Sequence, residues 1–243
     1  MHMISIITVV FNSNKLLERT IKSIMSQTCK SFEYIVIDGG STDGTLDIIK
    51  NYEKYIDFWC SSPDRGISDA FNKGIDKSSG DVIGILNAGD LFNVNTIEIV
   101  SNSFNNKEDY IYGNSVIRKE DGQIDRTITP INVKDFPYKG MPFQHSALFI
   151  KKRVYEQIGG FDLSYKTAMD FELLLRINNS DCIGSHVNQT LSTYYRGGVS
   201  DYNYIGGYVE VLRASSQYNN NYFKILSSFV FGVIRSYIRR AVG

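Results

Sequence analysis

Apolar and polar positions change their rhythm partway along this chain. Residues 4–10 are β-branched and almost continuously apolar, as in a strand covered on both faces. Leu16, Leu17, Thr20, Ile21 and Ile24 then recur at helical intervals behind a cap at Ser13 or Asn14. Residues 34–37, 58–60 and 82–86 read as further strands, with helices over 45–52 and 68–77. Four strands alternating with three helices predict a parallel, doubly wound α/β sheet. Beyond residue 95 the texture differs. The spacing predicts a helix over 95–104, strands over 110–118, 123–129 and 146–150, and a compact helix over 169–177, with Pro130, Pro137 and Pro142 punctuating the loop between. No internal repeat interrupts this order.

With 243 residues, 42% apolar and 13% aromatic, the chain can pack one large α/β domain and an appendage, and it does not read as disordered. Its formal net charge of zero gives no whole-chain signal for nucleic acid. Cys29, Cys60 and Cys182 are odd in number and far apart, which fits neither a disulfide framework nor a zinc site and suits a reducing compartment. Met1-His2-Met3 runs into the first strand without a basic, apolar leader, and no apolar run reaches the roughly 18–20 residues of a membrane span. A cytoplasmic protein, soluble or peripheral, is expected. After Glu210 there is no acidic residue, while Arg213, Lys224, Arg235, Arg239 and Arg240 follow. Over 222–242, helical spacing sets Lys224, Ser228, Arg235 and Arg239 opposite Tyr222, Leu226, Phe229, Val230, Val233 and Tyr237. Such a stretch suits the inner face of an anionic membrane; it equally suits packing on the protein's own core or on a partner subunit in a dimer. Both readings stay open.

Ligands of open α/β sheets bind outside the carboxyl ends of the strands, and polar residues gather at those ends here. They are Phe11-Asn12-Ser13, Asp38-Gly39-Gly40-Ser41-Thr42-Asp43-Gly44, Pro63-Asp64-Arg65-Gly66 and Asn87-Ala88-Gly89-Asp90. Any one of them is ordinary turn chemistry; four on one edge predict a binding crevice. A nicotinamide dehydrogenase would carry G-x-G-x-x-G after the first strand. A sugar nucleotidylyltransferase would carry a glycine-rich loop with Arg or Lys there. Phe11-Asn12-Ser13-Asn14-Lys15 has no glycine at all.

The order of these segments resembles the family 2 glycosyltransferases. The resemblance rests on Ile6 to Asn12, Val36 to Thr45, Pro63 to Gly74, the turn ending in Asp90, and three later runs: Phe143 to Phe149, Gly159 to Asp162 and Ala168 to Arg176. It spans roughly residues 4–200. It implies a GT-A fold: a mostly parallel twisted sheet flanked by helices, with a nucleotide-sugar-binding half over 1–104, an acceptor-side half over 105–200 and C-terminal helices over 201–243. It further implies an inverting transfer from a nucleotide-diphosphate sugar, UDP being the usual nucleotide, to a hydroxyl of a glycan or lipid-linked acceptor in polysaccharide biosynthesis. The sugar would be a hexose or N-acetylhexosamine. By the same resemblance Phe11, Asn12 and Asp38 line the nucleoside pocket, Asp64 and Arg65 close it, and Asn72, Lys73 and Asn87 lie toward the diphosphate.

Arg196, in a Gly-rich loop, is a natural anion contact. The family usually shows two or three carboxylates at the turn that holds Mn2+ or Mg2+; here only Asp90 remains, which puts metal affinity in doubt. A catalytically inactive nucleotide-sugar-binding or scaffold protein on the same fold is therefore the alternative. Asp170 matches the catalytic base, and its place at a helix start is expected to keep its pKa low. Asp162 competes for that role but sits in a turn-like Gly-Gly-Phe-Asp run. His145, with no second ligand nearby, reads as a satisfied core or loop histidine.

Overall fold

The computed structural model describes residues 2–195 apart from 106, 120, 132–135 and 137–139, then 204–218 and the isolated positions 224, 226, 227 and 230. At the heart of the first half, β1 (Ile4–Val10) pairs in parallel with β2 (Phe32–Asp38) on one side and β4 (Val82–Ile85) on the other, and β3 (Phe58–Ser61) lies outside β2, again parallel. Every residue of β1 is buried, as an unbroken apolar run demands. Successive side chains feed two separate cores. Ile4, Ile6 and Val10 meet Leu17, Ile21 and Ile24 of α1 (Asn14–Met25) and Ile49 of α2 (Thr45–Asn51). Ile7 and Val9 point the other way, onto Ala70, Phe71 and Ile75 of α3 (Ile67–Lys77).

In the second half the sheet reverses. β8 (Leu148–Lys151) runs antiparallel to β4, β6 (Tyr110–Arg118) antiparallel to β8, and β9 (Gly184–Tyr195) parallel to β6. β5 (Leu91–Phe92) joins the end of β9 antiparallel, and β7 (Ile124–Ile128) forms a hairpin with β6. The order is β3-β2-β1-β4-β8-β6-β9-β5, with β7 beside β6. The expected α/β architecture is present; the sheet is parallel through its first four strands and mixed beyond them. α4 (Thr96–Ser103) packs on the α1 face, while α5 (Lys152–Ile158) and α6 (Met169–Asn178) pack on the α3 face.

β9, β5 and α5 stand where the sequence pattern predicts nothing, and a last helix, α7 (Tyr204–Tyr218), lies in the segment where C-terminal helices are expected. Over Gly184–Thr190 β9 is exposed or half-buried and carries polar residues on both faces, so it lacks strand alternation. β5 has only two residues. α7 lies against α6 and buries Ala214 completely. The amphipathic stretch over 222–242 falls almost wholly outside the described residues. No described helix is long and apolar enough to cross a membrane.

Register between β4 and β8 sets Gly84 opposite Phe149, and the Phe149 ring covers the glycine. A Cβ added at Gly84 would come within 2.5 Å of one Phe149 ring carbon and 2.7 Å of another. Gly84→Ala gains about 0.5–1 kcal/mol from reduced backbone freedom but overpacks a core ring at roughly 1–3 kcal/mol. The overpacking wins. The urea midpoint of Gly84→Ala should fall; a raised midpoint would show that Phe149 moves aside freely.

Candidate functional site

Parallel pairing brings the carboxyl ends of β1, β2, β3 and β4 to one edge, and side chains staple their loops together. Asn12, whose φ of 45° makes it the one non-glycine residue with positive φ among those described, accepts from Thr42 N at 2.9 Å, while its own N–H donates to Ser41 Oγ at 2.8 Å. Ser13 N donates to Thr45 Oγ1 at 3.0 Å, and Asn14 Nδ2 to Asp43 O at 2.6 Å. These bonds tie the first two strand-end loops together.

Asp38 ends β2 where expected, but its carboxylate does not face the crevice. It is completely buried and accepts from Gly40 N, Ser41 N, Ser41 Oγ and Ser61 Oγ at 2.5–3.0 Å. Those four donors leave little for a ligand; Asp38 organises the loop, a correction to its expected contact with a nucleoside. Phe11 (62% exposed) and Asp64 flank Gly39 at this edge. A Cβ at Gly39 would fall 2.6 Å from Asp64 Oδ2 and 3.4 Å from a Phe11 ring carbon. Asp64 also accepts from Gly66 N at 2.8 Å, which shapes its loop. Arg65 is exposed and paired with Asp69 at 3.1 Å. Lys73 reaches Asp69 at 3.5 Å and Pro63 O at 3.2 Å, so it supports the Asp64 loop from below.

Asn72 is elsewhere. Its amide donates to Phe161 O at 2.9 Å and accepts from Phe161 N at 2.8 Å, pinning α3 to the turn before α6. Its other side borders a cavity of about 430 Å³ between α3 and α5, also lined by Asp76, Lys152, Tyr155 and Glu156. The expected approach to a diphosphate is thus replaced by a packing role. Arg196 lies outside the described residues.

After β4 the chain makes a tight turn. Asp90 N donates to Asn87 O at 3.0 Å, and Gly89 takes φ +106°, a left-handed value suited to glycine. Thr20, buried inside α1, holds the turn from beneath, accepting from Gly89 N at 2.8 Å and donating to Asp90 O at 2.9 Å. Asp90 is 4% exposed. Burial pushes its carboxyl up to about 8, with the Arg19 guanidinium only partly opposing. Arg19 lies over the Tyr195 ring at 4.0 Å, and its Nε is buried without a partner.

The antiparallel course of β8 carries the residues before it to the same edge. There His145, in a short 3-10 turn (His145–Ala147), places Nε2 3.0 Å from Asn87 Nδ2 and 4.0 Å from Asp90 Oδ2. Asp170, in the first turn of α6, interacts electrostatically with His145. Its Oδ1 accepts from Phe171 N at 2.8 Å. Burial nonetheless raises its pKa, outweighing His145 and the helix-start N–H groups, so the low value expected from the helix terminus is overturned. Burial likewise lowers the His145 pKa, favouring neutral imidazole, against the pull of Asp170. Sequence reasoning set His145 aside; the structure places it 4.0 Å from Asp90 and in electrostatic interaction with Asp170. Asp162 instead accepts from Ser164 N at 2.8 Å within its own turn.

Among the described residues, no group of three or more His, Cys, Asp or Glu side chains converges as a self-sufficient metal site. The strand-four turn still offers two hard oxygens, the Asp90 carboxylate and the Asn87 Oδ1, which is buried and unpartnered. That pair suits Mg2+ or Mn2+ if ligand oxygens complete the shell.

A curled α/β sheet with an acidic turn at its carboxyl edge defines the GT-A class of glycosyltransferase fold, and solved structures agree. S. aureus TarS 1–349 in complex with UDP superposes with a TM-score of 0.68 at 17% identity, over 94% of this chain and 70% of that one. The mannosyltransferase PcManGT from Pyrobaculum calidifontis, in complex with GDP-Man and Mn2+, gives 0.66 at 14% identity, over 100% and 76%. Among curated relatives, an uncharacterized glycosyltransferase of Mycobacterium tuberculosis is 32% identical over 179 residues, 71% of this chain and 68% of the relative. A PGL/p-HBAD biosynthesis glycosyltransferase of Mycobacterium bovis is 28% identical over 219 residues, 84% and 78% of the two chains. Residues 5–174 match the model of Glycosyl transferase family 2, and the chain belongs to that family.

The raised Asp90 pKa fixes the sign of a pH effect. Between the ordinary 3.8 and about 8 the native state holds a proton that the unfolded chain has lost. The stability this gives is complete below about pH 4 and disappears as pH rises through about 8. Asp90→Asn mimics the protonated form and lacks this loss. In EDTA, the melting temperature of the wild type should therefore drop relative to Asp90→Asn between about pH 4.5 and 8.5. Parallel curves would mean that Asp90 ionises normally.

Proposed function

We propose that this family 2 glycosyltransferase is an inverting enzyme. It moves a hexosyl or N-acetylhexosaminyl group from a nucleotide-diphosphate sugar to a hydroxyl of a glycan or lipid-linked acceptor. The observation that carries the reading is the gathering of Asn87, Asp90, His145 and Asp170 by contact or electrostatic interaction, at the edge where the Phe11 and Asp64 loops also end. The complexes of TarS with UDP and of PcManGT with GDP-Man support a nucleotide diphosphate as donor group.

Transfer forms a bond from the acceptor oxygen to the anomeric carbon and breaks the bond from that carbon to the diphosphate, which leaves with the electron pair. The acceptor proton passes to the Asp170 carboxylate. A carboxyl with a raised pKa is a better proton acceptor when ionised, because basicity follows pKa. Asp90 and Asn87 would hold a divalent cation whose charge stabilises the leaving diphosphate. Exposed Phe11 offers a flat apolar surface to the base, and Asp64 an acceptor for base or ribose hydroxyls.

Asp170→Asn keeps the shape but cannot take the proton. Turnover should fall roughly 10²–10⁴-fold, the range of general base catalysis, with donor affinity nearly unchanged by calorimetry. Asp162→Asn should stay close to wild type. Normal turnover in Asp170→Asn would remove it from the mechanism, and a large loss of donor affinity would make it a donor-site residue.

A second measurement concerns the cation. EDTA should abolish transfer, and added Mn2+ should restore it to wild type but not to Asp90→Ala. Manganese should also raise the nucleotide diphosphate affinity of the wild type alone. Activity that survives EDTA would sink the assignment and leave Lys73 or Arg196 to meet the leaving group.

A further inference from the structure

We propose that Glu210 of α7 is a positioning residue for Asp170, fixing the start of α6 relative to the donor loop; the inference rests on the reading of Asp170 as the base. α6 has no side-chain cap of its own, because its N-cap position is Ala168. The N–H groups just before it turn to one carboxylate from another helix. Glu210 Oε1 accepts from Lys166 N at 2.9 Å, and Oε2 accepts from Lys166 N at 3.1 Å, Thr167 N at 2.8 Å and Ala168 N at 2.8 Å. Successive N–H groups converging on an anion make a nest, and hydrogen bonds to a charged acceptor are the strong kind. Burial works against the Glu210 charge, yet these N–H groups, helped by Arg213, hold its carboxyl below the usual range.

The same segment is gripped from the donor side. Lys166 Nζ donates to Arg65 O at 2.9 Å, and Ser68 Oγ to Tyr165 O at 3.2 Å. Residues 165–168 are thus clamped between the loop that carries Asp64 and the carboxylate on α7. Asp170 follows two residues later, so the clamp sets the distance between the donor opening and the base. Arg213 anchors α7 nearby by a different route, over the Tyr165 ring at 3.9 Å and onto Ser164 O at 3.1 Å, without touching the N–H groups before α6.

Steady-state kinetics on the full chain, with folding checked by circular dichroism, tests this in Glu210→Ala, Glu210→Gln, Arg213→Ala, Asp170→Asn and the Glu210→Ala/Asp170→Asn double variant. Glu210→Ala should lower kcat about 10–10²-fold, the scale of a misplacement of about 1 Å, while the donor KM stays within about twofold. Glu210→Gln should recover most of the loss, since its amide oxygen can occupy the Oε2 position. Arg213→Ala, which leaves the N–H groups before α6 on Glu210, should lower kcat clearly less than Glu210→Ala, and the double variant should be no slower than Asp170→Asn alone. An unchanged kcat in Glu210→Ala overturns the proposal, as does a Gln variant no better than Ala, an Arg213→Ala loss of equal size, or losses that multiply in the double variant. If Glu210→Ala does not fold, the shorter Glu210→Asp replaces it, and wild-type kcat in that variant overturns the proposal. Normal turnover in Asp170→Asn marks failure of the base assignment itself; collapsed turnover there with normal Glu210 variants marks failure of this inference alone.

Discussion

The position of β1 between two parallel neighbours governs everything that follows it in this molecule. A strand with a parallel partner on each side has both faces covered by helices, so it must be apolar throughout, and Ile4–Val10 has no exposed residue. Parallel partners also end at the same edge. That edge collects the Asn12, Asp38, Asp64 and Asp90 loops whatever lies between them in sequence. The antiparallel β8 then brings His145 to the same edge from the opposite chain direction. A parallel strand in that place would have carried His145 to the far edge of the sheet.

Much of this was legible in the residues. The helical spacing of Leu17, Ile21 and Ile24, the continuous apolar strands and the polar strand ends located the first half and its strand-end loops. The strand over Tyr110–Arg118 appears in the structure with the bounds its pattern predicts. What escaped has particular causes. β9 is largely exposed over its first half and alternates poorly. The donors that saturate Asp38 come from Gly40, Ser41 and, 23 residues on, Ser61, a convergence that only pairing of β2 with β3 produces. Asn72 looked like a helix residue facing a ligand because Phe161, its actual partner, is 89 positions away.

Electrostatics at the edge is decided by burial. Asp170 has both the helix terminus and a histidine in its favour, and each favours the charged form. Removal from water still dominates. The same competition goes the other way at Glu210, where three N–H groups and a nearby arginine overcome desolvation. These two acids are therefore poised differently by the number of donors each receives.

The ends of the sheet carry one more consequence. Unpaired strand edges invite other strands to add on, and the risk grows with the length and flatness of the edge. Here the outermost strands are β3, with four residues, and β5, with two. The side branch, β7, is polar at its centre, with Asp125, Arg126 and Thr127 in a row. β9 pairs with β5 only at Ser192 and Thr193, and the rest of its open side is mostly polar, which discourages a second copy from pairing there. The strand-end loops at the carboxyl edge can thus stay exposed while short or polar edges limit strand addition to the sheet.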